Sequence, residues 1–303
     1  MPYSYHSHSG QFCHHGYGQL EDVVKEAVRK GFKVYGLSEH MPRYQDQELY
    51  PEEIQAHCTP TTLQTIFADF YQEARRLQEL YSPQIQLLVG TEIEYVTEHY
   101  GGYIAQLRQR HPVDYLVGSL HHVGGTPVDF SQELYDQALA KHDGSLVNLY
   151  CAFFDEQLAM MQTVKPHVVG HFDLVRIFAD RVAADSVLHN EAVKQRWMRN
   201  VDAFIEMGSL FEINSRAWKK GLRDAYPHRD IIQYILQKNG KFVLSDDCHG
   251  PQDVGMHYDK LPGYLKECGI STIHYLVKEN NQIVVREHAN ILDDAFWDTM
   301  KSW

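Results

Sequence analysis

Apolar positions along the chain follow two alternating patterns. Leu20, Val23, Val24, Ala27 and Val28 recur at the three- and four-residue spacing of one helix face, and Gly31 supplies a stop. Leu63, Ile66, Phe67, Phe70, Tyr71, Ala74 and Leu77 repeat that spacing over 61–81, with Thr59-Pro60 as a start. Further helices are predicted near 102–110, 131–141, 145–164, 190–207, 228–239 and 260–268. Between them lie short apolar runs at 3–5, 32–37, 85–89, 115–120, 167–170, 210–213 and 242–244. These runs do not alternate strictly, which is the pattern of parallel strands buried on both faces. Strands separated by helices predict an α/β fold, either a closed barrel or an open doubly wound sheet. No G-x-G-x-x-G follows the first run, which counts against a dinucleotide-binding open sheet. The stretch 272–286 reads as an appended β-hairpin. No repeat, low-complexity tract or linker interrupts the pattern, so one domain over 1–303 is expected.

Composition narrows the class. The 303 residues carry 28 Lys+Arg against 40 Asp+Glu, a net charge of −12. Hydrophobic residues make up 44%, which excludes disorder as the main state. The acidic balance argues against a nucleic-acid partner. No apolar run approaches the ~20 residues of a membrane span, and Met1-Pro2-Tyr3-Ser4-Tyr5-His6 has neither the basic start nor the apolar core of a signal peptide. A cytoplasmic protein is expected. The cysteines, at 13, 58, 151, 248 and 268, are odd in number and never spaced C-x-x-C, so neither a disulfide framework nor a thiolate zinc site is indicated. Cys13 and Cys248 read as wall residues.

Histidine is the outlier, at 19. Ligand-type residues gather where the predicted strands stop: His6-Ser7-His8 and His14-His15-Gly16, Ser38-Glu39-His40, Glu92-Ile93-Glu94, His121-His122, His171-Phe172-Asp173, Glu212-Ile213-Asn214 and Asp246-Asp247-Cys248-His249. A single histidine at a strand end is usually a hydrogen-bonded surface residue. The ordered series is hard to obtain by chance. In a parallel barrel all the carboxyl ends share one face, so these residues would converge there. Imidazole and carboxylate suit Zn, Mn or Fe. The number of candidates exceeds what one ion needs, and a carboxylate such as Glu92 can bridge two.

The ordered motifs resemble those of the PHP (polymerase and histidinol phosphatase) superfamily, and within it the fungal branch of histidinol-phosphate phosphatases. The carrying segments are His6-Ser7-His8-Ser9 with Phe12-Cys13-His14-His15-Gly16, Ser38-Glu39-His40-Met41-Pro42-Arg43, Gly118-Ser119-Leu120-His121-His122, Gly170-His171-Phe172-Asp173, Glu212-Ile213-Asn214-Ser215 with Trp218-Lys219-Lys220-Gly221, and Asp247-Cys248-His249. The resemblance spans about residues 3–260. It implies a distorted (β/α)7 TIM-like barrel, the PHP fold, with three divalent ions and hydrolysis of a small phosphomonoester, L-histidinol phosphate, in histidine biosynthesis. Carried over, it implies one ion on His6, His8, Glu92 and Asp247, a second on Glu92, His121 and His171, and a third on His15, His40 and His249. His14 and His122 remain alternatives to their neighbours. Asp246 competes with Asp247, although D-x-H spacing favours Asp247.

In such a site a metal-bound water or hydroxide would attack phosphorus, with His122 or Asp173 as candidate donors to the leaving group. Arg216 is the leading phosphate-gripping cation; Arg43, Arg176 and Lys219 are further ones. Glu94, Tyr95, Phe12 and Tyr17 are candidates for the organic end of the substrate. A nucleotide or other small phosphoester is the alternative substrate. An amidohydrolase would require a lysine at a strand end, which none of the predicted strands has. A metal-binding scaffold would bind ions without releasing phosphate.

Overall fold

A computed structural model describes residues 2–300 and Trp303. Seven parallel strands form its centre: β1 (Tyr3–Ser4), β2 (Val34–Leu37), β3 (Gln86–Glu92), β4 (Tyr115–Gly118), β7 (Val168–Val169), β8 (Leu210–Asn214) and β9 (Phe242–Ser245). They are hydrogen-bonded in the order β1-β2-β3-β4-β7-β8-β9. The register pairs Ser4 with Tyr35, Val34 with Gln86, Gly90 with Tyr115, Val117 with Val168, Val168 with Leu210, and Phe211 with Phe242.

The barrel closes at the β9–β1 seam without a regular strand pair. A single parallel bridge joins Ser7 to Cys248, and the His8 amide donates to the Cys248 carbonyl at 2.7 Å. Asp246 holds this seam. Its carboxylate accepts from the Ser4 hydroxyl at 2.7 Å, the Tyr35 hydroxyl at 2.9 Å and the Gly255 amide at 2.6 Å. Inside the barrel the Tyr115 ring fills the space that glycine leaves at Gly36 and Gly90, where any side chain would collide with it. Its hydroxyl donates to the Tyr5 carbonyl at 2.8 Å.

Helices over 20–29, 60–81, 100–110, 132–141, 146–164, 191–206, 229–237 and 261–268 surround the strands, matching the predicted series to within a few residues. Thr59 caps the second by accepting from the Thr62 amide, ahead of Pro60. Helices over 51–55, 181–188, 216–219 and 296–299 were not anticipated. At one or two turns each, they are too short to display a period. A two-stranded hairpin, β5 (His122–Val123) with β6 (Thr126–Pro127), was also missed and follows the end of β4. No helix among the described residues is long and apolar enough to cross a membrane.

The predicted C-terminal hairpin is β10 (Thr272–Glu279) and β11 (Gln282–Ala289), turned at Asn280-Asn281 with both φ values positive. It packs where the barrel strands begin, the end opposite the histidine motifs. Tyr275 stacks on Tyr3 at 4.2 Å, the Tyr5 hydroxyl donates to the Leu276 carbonyl, and Gln86 exchanges two hydrogen bonds with the Lys278 backbone. Asp114 ties this end together. It accepts from Arg75 at 2.8 Å, Gln78 at 3.1 Å, the Val89 amide at 2.9 Å and Lys278 at 2.8 Å.

Burial pushes the Asp114 pKa up, but the bonds from Arg75, Lys278 and Val89 outweigh it and hold the carboxyl below its usual range. A depressed pKa means stability present above the unfolded value of about 3.9 and lost as pH falls through the folded one. Asp114→Asn is therefore expected to lower unfolding free energy by about 2 kcal/mol at neutral pH. In urea titrations against pH, this deficit should be full above about pH 4 and shrink in stronger acid. A deficit independent of pH would mean that the carboxylate charge is not what matters.

Candidate metal centre

Glu92 ends β3 and is 1% exposed. Five imidazole nitrogens converge on its two oxygens: His6 Nε2 at 3.0 Å, His8 Nε2 at 3.4 Å, His40 Nδ1 at 2.9 Å, His121 Nε2 at 3.1 Å and His171 Nε2 at 3.0 Å. Asp247 Oδ1 approaches the same region, 3.8 Å from His6 Nε2 and 3.7 Å from His8 Nε2. His6 and His8 follow β1, and the other five come from five further strand ends or the segments just after them, so only the barrel brings them together.

Three of these rings, and the nearby His15 and His249, are held from behind by their outer nitrogens. His6 Nδ1 lies 3.1 Å from Glu212, His8 Nδ1 2.9 Å from Glu39, His121 Nδ1 3.1 Å from Glu94 and His15 Nδ1 2.7 Å from Glu52. His249 Nδ1 lies 3.0 Å from the Asp247 carbonyl. A carboxylate or carbonyl only accepts, so the proton sits on Nδ1 and Nε2 is turned inward. Ligating histidines are oriented in this way. Asp247 itself has φ +47, a left-handed conformation that is uncommon outside glycine and that aspartate adopts more readily than most residues. Asn214 Nδ2 on its carboxylate at 3.1 Å and Arg216 Nη1 on its carbonyl at 3.0 Å hold it there.

The inward nitrogens fit a cation better than they fit each other. His6 Nε2, His8 Nε2 and His40 Nδ1 are buried and within 3.4 Å of Glu92, yet none is aligned for a hydrogen bond; His40 Nε2 and His171 Nδ1 are also buried without a partner. Donor atoms lying within 4.8 Å of one another form four groups: His6, Glu92 and His171; His6, His8 and Asp247; His8, His40 and His249; and Cys13, His15 and His40. Electrostatics divides the rings. Burial disfavours the charged form of His6, but Asp247, Glu92 and Glu212 outweigh it and push the pKa well up. Burial, reinforced by the charge on His8, pulls His40 down to about 4. Glu92 is opposed by burial but driven well below its usual value by His6, His121 and His40.

All nine expected ligands meet in this region. His15 is the outermost, its side chain 40% exposed, with its ring 5.4 Å from that of His40 and 4.8 Å from that of His249. The adjacent alternatives point elsewhere. His14 Nε2 faces Cys58 Sγ at 3.2 Å, Asp246 belongs to the seam, and His122 lies 3.7 Å behind Glu94. Cys13, read as a wall residue, places Sγ 3.3 Å from His15 Nε2, so a thiol does border the cluster.

Beside the cluster opens a cavity of about 400 Å³, lined among others by Phe12, Arg43, Arg216, Glu92, Asp247 and His249. Several residues expected at substrate are not on that lining. Glu94 stands behind His121, and Tyr95 reaches toward Thr163 instead. Arg176 is buried against Asp173 at 2.6 Å, and the Asp173 carboxylate also accepts from the His228 amide, so these two neutralise each other away from the cavity. Lys219 pairs with Asp253 at 2.9 Å, and Tyr17 lies at the surface with its amide on the His249 carbonyl. Arg43 lines the cavity but is paired with Glu53. Residues not anticipated at the lining include Lys220, Asp129, Phe130, Tyr50 and Tyr226. Glu39 and Glu212 were also missed as supports, although both lie in the strand-end motifs.

The seven-stranded parallel barrel with histidines and carboxylates gathered at the carboxyl ends of its strands places the chain in a recognisable class of barrel proteins. Residues 4–216 match the family described as the PHP domain, and the chain belongs to that family. It is 38% identical over 299 residues to "Probable histidinol-phosphatase" of Schizosaccharomyces pombe, covering 98% of this chain and 96% of that protein. It is 30% identical over 331 residues to histidinol-phosphatase of Saccharomyces cerevisiae, covering 97% and 99%. The crystal structure of histidinol phosphate phosphatase from Lactococcus lactis, complexed with zinc, L-histidinol and phosphate, superposes with a TM-score of 0.62 at 17% identity, covering 93% of this chain and 98% of that one.

Glu39 supports His8 through its outer nitrogen at 2.9 Å and belongs to none of the groups of converging donors. Glu39→Gln is expected to leave the protein folded and to weaken metal binding about 10–100-fold in chelator competition. Unchanged affinity would remove Glu39 from the site.

Proposed function

We propose that the protein is a histidinol-phosphatase, hydrolysing L-histidinol phosphate to L-histidinol and phosphate in the cytoplasm. The observation carrying this reading is the convergence of five imidazoles on the buried Glu92 carboxylate beside an open cavity. The curated relatives of the same length bear that activity in their names, and five free cysteines agree with a reducing compartment.

Three divalent ions fit the donors. His6, His8, Glu92 and Asp247 would hold one; Glu92, His121 and His171 a second; His15, His40 and His249 a third. Zinc suits this imidazole–carboxylate set. When bound, such ions withdraw charge from phosphoryl oxygens and acidify water. Uncatalysed phosphomonoester hydrolysis is extremely slow, so the site must supply a very large barrier reduction.

The chain's own residues supply position and charge. Arg216 is half-buried on the cavity wall beside Asp247, where its guanidinium meets phosphate oxygens. Lys220 adds a second cation on the same wall; burial and the neighbouring Arg216 lower its pKa. Glu39, Glu94 and Glu212 keep the histidines in the orientation that the reaction needs. The apolar half of the cavity, with Phe12, Leu63, Ile66 and Phe67, excludes water from the organic end of the ester.

Zinc-loaded protein should release phosphate from L-histidinol phosphate at a kcat/KM at least about 100-fold above that for nucleoside monophosphates, a gap of roughly 2.7 kcal/mol in transition-state binding. Exhaustive chelation should abolish turnover, and added zinc should restore it. His8→Ala should lose bound metal by elemental analysis together with activity. Full turnover in a rigorously metal-free sample would overturn the reading.

A further inference from the structure

Of the acids lining the cavity, Asp129 has neither a role in the cluster nor, unlike Glu53 with Arg43, an ion-pair partner among the described residues. Asp129 follows the small β5–β6 hairpin, and the preceding Val128 amide donates to the His121 carbonyl at 2.8 Å. This bond sets Asp129 beside the second proposed ion site. Asp129 lines the cavity, its Oδ1 is buried without a hydrogen-bond partner, and it makes no ion pair among the described residues. It belongs to none of the groups of converging metal donors. Lys220 shares the wall and feels the Asp129 charge, but no ion pair joins the two among the described residues. Asp129 shares the cavity lining with His121, His171 and Glu92, and its backbone neighbour is tied to His121.

Tyr226 presents a second unused oxygen. Its ring lies 6.1 Å from that of His171, it lines the same cavity, and its hydroxyl is buried without a partner. Tyr226 and Asp129 thus share one cavity lining, each with a buried oxygen that has no hydrogen-bond partner. A buried carboxylate oxygen without a hydrogen-bond partner is costly, and a buried hydroxyl without a partner adds to that cost. A group that donates several hydrogen bonds and carries positive charge relieves both. A primary ammonium, with three donors, does so.

We propose that Asp129, assisted by Tyr226, anchors the ammonium of the substrate's amino-alcohol and so selects phosphomonoesters of 2-amino-alcohols over neutral ones. This rests on the function proposed above. The geometry suits it, because the ammonium of such an ester sits on the second carbon from the ester oxygen. A phosphate held at the cluster therefore places it at the cluster end of the cavity rather than at its apolar end.

The test uses zinc-loaded wild type, Asp129→Asn, Asp129→Glu and Tyr226→Phe. Turnover is compared on L-histidinol phosphate and on n-propyl phosphate, and calorimetry measures binding of L-histidinol and of inorganic phosphate. Asp129→Asn should lower kcat/KM for the cationic ester roughly 10–100-fold more than for the neutral one, and weaken L-histidinol binding far more than phosphate binding. Asp129→Glu should recover part of the selectivity, and Tyr226→Phe should lose a smaller part. Equal losses on both esters, or unchanged L-histidinol affinity, would overturn the anchor. If Asp129→Asn does not fold, the selectivity of Tyr226→Phe and Asp129→Glu decides in its place. Wild type that cleaves n-propyl phosphate but not L-histidinol phosphate would instead refute the proposed function, and the L-histidinol isotherms would still judge the anchor.

Discussion

A carboxylate buried as deeply as Glu92 persists only if positive charge meets it from several sides. Around it the chain has arranged five imidazole rings from four separate segments, which an unfolded chain would not hold so close together. Rings at that density repel when protonated, and their lone pairs repel when neutral. Cations shared among them remove both conflicts, which is why the donors are turned toward common points rather than toward one another.

The remaining architecture serves that arrangement. Glu39, Glu94, Glu212 and Glu52 form an outer row of acids that fix the ring orientations. They also keep the local charge negative, which suits a cluster of divalent ions. The left-handed Asp247 is strained, and the contacts of Asn214 and Arg216 maintain it. Asp246, one residue earlier, does a different job at the barrel seam. Two adjacent aspartates thus divide closure of the barrel and its chemistry between them.

The two ends of the barrel are built on different principles. At the end where the strands begin, Asp114 and the C-terminal hairpin close the structure with paired charges and stacked aromatics. At the end where they finish, short strands such as β1 and β7 give way to irregular backbone soon after two residues. That leaves loops free to carry ligands and a cavity free to admit substrate.

Much of this was legible in the residues alone. Long helices announced themselves by period, and buried strands by unbroken apolar runs. The ligand series was visible because a parallel barrel puts every strand's carboxyl end on one face. Local pattern could not show which of two adjacent histidines or aspartates turns inward, since His14 and His15, or Asp246 and Asp247, differ only in the backbone angles that the fold imposes. Nor could it show that Arg176 is consumed by Asp173, or that Lys219 rather than Lys220 is spent on Asp253. Chain order determined the kinds of groups available and the face on which they gather. Tertiary packing decided their partners, because pairing of charges depends on distances between segments remote in sequence, and periodicity carries no record of those distances.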